Sequence, residues 1–201
     1  GYTRSNNTYS FAAAEVIVPH ILGDNLMDLL TSQTSWNSSC KHTDLMLAFG
    51  GLPVFNSQIS NGGTGAHIQR EAVLKAASAG VQFVNFYPRR SDIKAEVDER
   101  WVQVRPNTDV ALMLGMAHTL LIKQLYDQGF VDRYTVGSKQ FFDYLLGCED
   151  GIPKTAAWAA EITGVEESAV LKFVREMTKK RTMISVNWAL TRQQHGEQPF
   201  W

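Results

Sequence analysis

The sequence predicts an α/β fold: a doubly wound, mostly parallel sheet flanked by helices, with a helical insert at about residues 126–180. Two observations carry this. Leu45-Met46-Leu47-Ala48-Phe49 is a continuous apolar run of strand length that enters the turn Gly50-Gly51-Leu52-Pro53, as strands buried on both faces of a parallel sheet do. A helix-spaced stretch then separates it from a second apolar strand, so strand, helix and strand fit within about 40 residues, one βαβ unit.

The elements follow in order. Residues 9–23 are small and apolar and predict a buried helix ending near Pro19. Residues 31–43 are rich in Ser, Thr, Asn and Gln and read as loop. After the strand at 45–49, residues 56–66 read as a polar, glycine-bearing loop. Ile68, Val73, Leu74 and Ala77 give helical spacing over 67–79, with Gly80 closing the helix. Residues 81–86 form the second strand and run into Tyr87-Pro88-Arg89-Arg90. Trp101-Val102-Gln103-Val104 reads as a third short strand. A strong helix is expected from Val110 to Leu125, capped by Thr108 or Asp109. Further helices are expected over 138–146, 155–163 and 166–179, and a last strand over 182–186.

Composition narrows the function. The formal net charge is -1, so bulk charge points to neither a nucleic acid nor a membrane surface. No window of about 18 apolar residues exists to span a bilayer. Cys40 and Cys148 lie far apart without a CxxC partner and read as free thiols, and no zinc or iron–sulfur spacing is present.

Three tracts stand where open α/β sheets hold ligands, past the C-terminal ends of strands. Gly50-Gly51-Leu52-Pro53 lacks both GxGxxG and GxxxxGK[ST] spacing, and taken alone is explained as a tight turn. Asn85-Phe86-Tyr87-Pro88-Arg89-Arg90 offers forked donors at a strand end, or a solvated basic turn. Asn107-Thr108-Asp109 can be an N-cap, or can present a carboxylate to the N1 and N2 edge of a guanine. Together, facing one crevice, they point to a nucleotide-like ligand. The run Asn187 to Trp201 adds two Trp, Arg192, Gln194 and His195 directly after a strand, and stops without a closing helix. The sequence is therefore expected to be a segment of a longer protein.

Several tracts carry a resemblance. Tyr9-Ser10-Phe11-Ala12-Ala13 with Pro19-His20-Ile21-Leu22-Gly23, Thr108 to His118, Asp150-Gly151-Ile152-Pro153-Lys154-Thr155-Ala156 with Trp158, and Trp188, Arg192 and Gln194-His195-Gly196-Glu197-Gln198 resemble the molybdopterin oxidoreductases. Within them the chain is similar to the dimethyl sulfoxide, trimethylamine N-oxide and biotin sulfoxide reductase branch. The resemblance implies a bis(molybdopterin guanine dinucleotide) molybdenum cofactor and reduction of an S-oxide or N-oxide by oxygen-atom transfer. It implies that Phe49, Gly50, Gly51 and Pro53 lie along the pterin and phosphates. Asn85, Phe86, Tyr87, Pro88 and Arg89, with Asn107, Thr108 and Asp109, would hold one guanosine. Gln194 and His195 would also meet the cofactor. Trp188 and Arg192 would stand at the inner end of the substrate funnel as the catalytic pair.

Tyr87 departs from the family's usual Asp-Pro-Arg, and Leu52 from its usual polar turn residue. No metal ligand is expected within the chain: the family's serine ligand would precede residue 1, and the rest of the cofactor site would follow Trp201. The chain by itself is accordingly expected to be inactive. The partners implied are a small S-oxide or N-oxide and an electron donor, a cytochrome or other reductant. No nucleic acid or membrane insertion is expected. The compartment implied is bacterial, periplasmic in preference to cytoplasmic. A non-catalytic nucleotide-binding or interaction module of the same fold is the alternative.

Overall fold

The computed structural model describes residues 12–54, 67–90, 93 and 97–201. The loop expected at 56–66 lies outside the described residues. The chain divides into two compact units, Gly1–Val102 with Arg181–Trp201, and Gln103–Lys180.

The first unit contains α1 (Ala12–Leu22), α2 (Leu26–Thr31), α3 (Trp36–His42), β1 (Leu45–Phe49), α4 (Gln69–Ser78), β2 (Gln82–Phe86), β3 (Glu99–Val102) and β4 (Thr182–Val186). The four strands form one sheet in the order β3-β2-β1-β4, and every pairing is parallel. The parallel sheet flanked by helices read from the sequence is thus present. All five residues of β1 are buried, which is why its sequence is an unbroken apolar run rather than an alternating one. Met46, Ala48 and Phe83 pack with Val73 and Ala76 of α4, and Trp36, Cys40 and Met183 close the same cluster.

Three expectations are corrected here. The span 31–43 contains a helix, α3, because Ser35 caps it by accepting from the Ser38 N–H and Trp36 donates to Gln69 Oε1 at 3.2 Å. Its polar sequence hides a face packed on α4. The first helix does not end near Pro19 but runs through it to Leu22. A proline inside a helix removes one backbone bond, but burial of Ala14 and Val18 and packing on the segment after β4 hold α1 together. The third strand occupies 99–102 rather than 101–104. It stands at the sheet edge, where Glu99 and Arg100 are tolerated because only one side is paired.

The second unit is helical: α5 (Asp109–Ile122), α6 (Gln128–Tyr134), α7 (Ser138–Leu145), α8 (Ala156–Thr163) and α9 (Glu167–Met177). The helical part therefore begins before residue 126 and includes α5. Packing centres on α5, which contacts α7, α8 and α9. Gly115 permits the closest approach: a Cβ there would stand 2.5 Å from Ala159 Cβ. Val170, Phe173 and Val174 place the apolar face of α9 inward at helical spacing. Lys154 is 2% exposed, with its ammonium 2.6 Å from Asp150 Oδ2 and 4.5 Å from the Tyr144 ring centroid. α6 was not expected, and it buries no residue, so it leaves no apolar stripe to read; Asp127 caps it. Among the described residues no helix is long and apolar enough to cross a membrane.

Candidate functional site

In the first unit the strand ends form one row. Phe49 pairs with Val186 on one side and Phe86 on the other, and Phe86 pairs with Val102. β2 and β3 lie to one side of β1 and β4 to the other, so the topological switch point falls between β1 and β4. That is where open α/β sheets leave a crevice past the carboxyl ends of the strands.

The residues after these ends are locked together by the backbone. Gly50 N–H donates to Phe86 O at 3.1 Å, and Asn187 N–H to Phe49 O at 2.9 Å. The Asn187 side chain accepts from Ala189 N–H at 2.9 Å, and its Nδ2 lies 3.4 Å from Gly51 O. Gly50 has φ +78°, and a Cβ on it would stand 2.7 Å from Leu190 Cγ, so only glycine fits beside the tail. Across the sheet, Tyr87 N–H donates to Val102 O and Trp101 Nε1–H to Tyr87 O, at 3.2 and 2.8 Å.

The expected contacts divide between residues past the strand ends and residues buried in the sheet. Gly50, Gly51, Pro53, Tyr87, Pro88 and Arg89 stand past the strand ends, with Arg89 exposed. Phe49 and Phe86 are buried and stacked at 4.6 Å between ring centroids within the sheet. Asn85 is 0% exposed, on the α3–α4 face of the sheet rather than on its rim. Its Nδ2 donates to Glu99 Oε2 at 3.1 Å, and no donor among the described residues reaches its Oδ1.

After β4 the chain turns through two 3-10 segments, Trp188–Thr191 and Gln198–Phe200, both resting on α1. Trp188 is half-buried and stacked on Phe200. Arg192, Gln194 and His195 are exposed on the outside of this turn. His195 has φ +58°, and its Nδ1 lies 3.9 Å from Glu197 Oε1. Arg192 has no side-chain partner among the described residues, so its donors remain available to a ligand. Asn187 had not been singled out, although it fixes the switch point. The only trace in sequence is an Asn between a strand and a 3-10 turn, where it serves as the cap.

Asn107, Thr108 and Asp109 lie in the second unit, at the N-terminus of the 14-residue α5. Asn107 adopts φ +63°, which turns the chain into the helix. The expected side-chain cap is not made. Thr108 occupies the cap position, but its hydroxyl donates to Arg105 O at 2.7 Å instead of accepting from the helix. Arg105 is in turn committed to the C-terminal end of α8, donating from Nη1 to the carbonyls of Glu161 and Ile162 at 2.6 and 3.1 Å.

Among the described residues Asp109 is therefore left without a cation. It is 6% exposed, and burial raises its carboxyl from 3.8 to about 6, opposed only by its own backbone N–H. A buried acceptor with no charged partner at a helix N-terminus suits a ligand edge that donates hydrogen bonds. Among the described residues no three His, Cys, Asp or Glu side chains cluster as a metal site.

Comparison with known proteins identifies the family. A family model described as molybdopterin oxidoreductase matches residues 1–201. The chain is 37% identical over its whole length to biotin sulfoxide reductase of Cereibacter sphaeroides, covering 27% of that protein. It is 36% identical to the trimethylamine-N-oxide reductase of Haemophilus influenzae and 38% identical to the dimethyl sulfoxide/trimethylamine N-oxide reductase of Rhodobacter capsulatus, covering 24% of each. It thus spans about a quarter of the length of these relatives. Acetylene hydratase from Pelobacter acetylenicus shares the fold, with a TM-score of 0.62 at 23% identity over 80% of this chain and 20% of that one. Through the match along its whole length, the chain belongs to the molybdopterin oxidoreductase family.

Proposed function

We propose that this chain is part of a molybdenum-dependent reductase of S-oxides or N-oxides and holds a guanine end of its bis(molybdopterin guanine dinucleotide). The carrying observation is Asp109, a buried carboxylate with no cation beside it among the described residues. Guanine offers N1–H and N2–H as adjacent donors, which the two oxygens of an ionised carboxylate accept together. Adenine offers no such pair on that edge. Asn107 and Thr108 form the turn into the helix on which Asp109 sits. Gly50 and Gly51 leave the strand edge free of side-chain bulk, which suits the phosphates and pterin, with Tyr87, Pro88 and Arg89 as the other rim.

When bound, the molybdenum supplies the oxygen-atom transfer. The protein's part is to bind and orient. Arg192 donates to the oxide oxygen as negative charge builds there, and the Trp188 indole offers an N–H and an apolar ring face to a methylated substrate. Gln194 and His195, exposed on the same turn, would meet the cofactor. The electron donor is a cytochrome or another reductant. This reading is supported by the names of the relatives, which are reductases of biotin sulfoxide, trimethylamine N-oxide and dimethyl sulfoxide.

The test is dye-linked reduction of these three oxides by the full-length protein purified with its cofactor. Turnover of at least one, lost in Asp109→Asn together with the bound nucleotide, is expected. Nucleotide binding without oxide reduction would mean a non-catalytic module of the same fold.

A further inference from the structure

The tail after β4 carries more structure than a simple display of Trp188 and Arg192 requires. Phe200 comes back to lie against Trp188, with ring centroids 6.0 Å apart and planes at 29°. The return is built in. Leu190 and Thr191 of the first 3-10 turn, Gly196 after it and Pro199 of the second are all buried. A Cβ on Gly196 would stand 2.7 Å from Leu190 O, so no other residue closes the turn without displacing it. Thr191 Oγ1–H donates to Trp188 O at 2.8 Å, which fixes the backbone that carries the indole. The backbone that carries the indole is thus held by Thr191, and the ring itself lies against Phe200.

We infer that Phe200 is a positioning residue for oxide substrates: its ring holds the Trp188 indole in the orientation the small methylated substrate meets. This rests on the reading of Trp188 and Arg192 as substrate contacts. In this role Phe200 acts through Trp188, against which its ring lies. Offset stacking is one of the favoured arrangements of aromatic pairs at this separation, and each ring restricts the rotamers of its partner. Without the ring the indole gains rotamer freedom, and binding energy is spent on ordering it. The chemical step is unchanged, because no reacting group moves. The loss falls on KM.

The experiment uses the full-length enzyme with its cofactor. Phe200→Leu keeps an apolar peg for the fold, and Phe200→Tyr restores the ring. In Phe200→Leu the KM for trimethylamine N-oxide or dimethyl sulfoxide is expected to rise about 3- to 10-fold, the worth of an aromatic pair. kcat and molybdenum content stay at wild type, and Phe200→Tyr stays close to wild type in KM. In a Trp188→Ala background, Phe200→Leu adds nothing further, since its partner is gone. A wild-type KM in Phe200→Leu, or an effect that multiplies fully with Trp188→Ala, overturns the positioning role while leaving the substrate site intact. A wild-type KM in Trp188→Ala overturns the substrate-site reading and the inference with it.

Discussion

Replacing Asp109 by asparagine is expected to stabilise the fold and abolish guanine binding at once. Burial raises the Asp109 carboxyl from 3.8 to about 6. One pKa unit corresponds to about 1.4 kcal/mol, so keeping this group ionised costs the folded state about 3 kcal/mol near neutral pH. The sign follows from proton counting. Between pH 4 and 6 the folded chain keeps a proton that the unfolded chain has lost, so stability falls as pH rises through this window and is flat above it. Asparagine has nearly the same shape and carries no charge. Its amide gives back about 1 kcal/mol for one imperfectly matched group. Asp109→Asn is thus expected to be more stable than wild type by about 2 kcal/mol at pH 7, and no more stable at pH 4. Urea denaturation of both proteins from pH 4 to 8 reads this directly. A wild-type-minus-mutant difference that stays constant with pH would refute the reasoning, because it would mean the carboxylate is solvated or paired. Affinity for a guanine ligand follows the opposite course. It rises with pH through about 6, where Asp109 ionises.

Three further perturbations test the packing. Gly115→Ala gains helix propensity but drives a methyl into Ala159, so a net loss of about 1–2 kcal/mol is expected, partly recovered by adding Ala159→Gly, measured by denaturant midpoint. Gly50→Ala combines a left-handed φ with overlap on Leu190 and is expected to cost about 2–4 kcal/mol; Leu190→Ala relieves the overlap but not the backbone strain, so rescue in a thermal melt is incomplete. Lys154→Ala removes the cation buried between Asp150 and the Tyr144 and Trp158 rings and is expected to destabilise by about 3 kcal/mol, with Lys154→Met losing less because the stem still fills the space.

The parts of the fold that were legible share a cause. β1 announces itself because burial on both faces of a parallel sheet demands an unbroken apolar run, and Gly50-Gly51 marks its end; β2 is legible from Phe83, Val84 and Phe86, with Asn85 the one polar residue buried among them. α3 was hidden because its polar residues carry the helix, and the residue it buries most deeply is Ser39, with Trp36 and Cys40 only partly buried beside it; Ser35 as a cap was the available signal. β3 was displaced by two residues because Glu99 and Arg100 look unlike a strand, and only their edge position makes them acceptable. At the candidate site, the strand-end position of Gly50 and Gly51 can be read from sequence. The isolation of Asp109 cannot. It arises because Arg105, four residues before it, is turned onto the end of α8, a tertiary event with no local signature. The same holds for Asn187, whose role depends on β4 lying beside β1 rather than beside β3.

The central claim is that the N-terminus of α5 holds a guanine through Asp109. The most direct measurement is the nucleotide released by acid hydrolysis of the purified full-length protein, compared with Asp109→Asn. Guanine nucleotide released from wild type, and a marked loss from a well-folded Asp109→Asn protein, is the predicted result. Equal guanine content in the two proteins, or an adenine or cytosine nucleotide in its place, would contradict it.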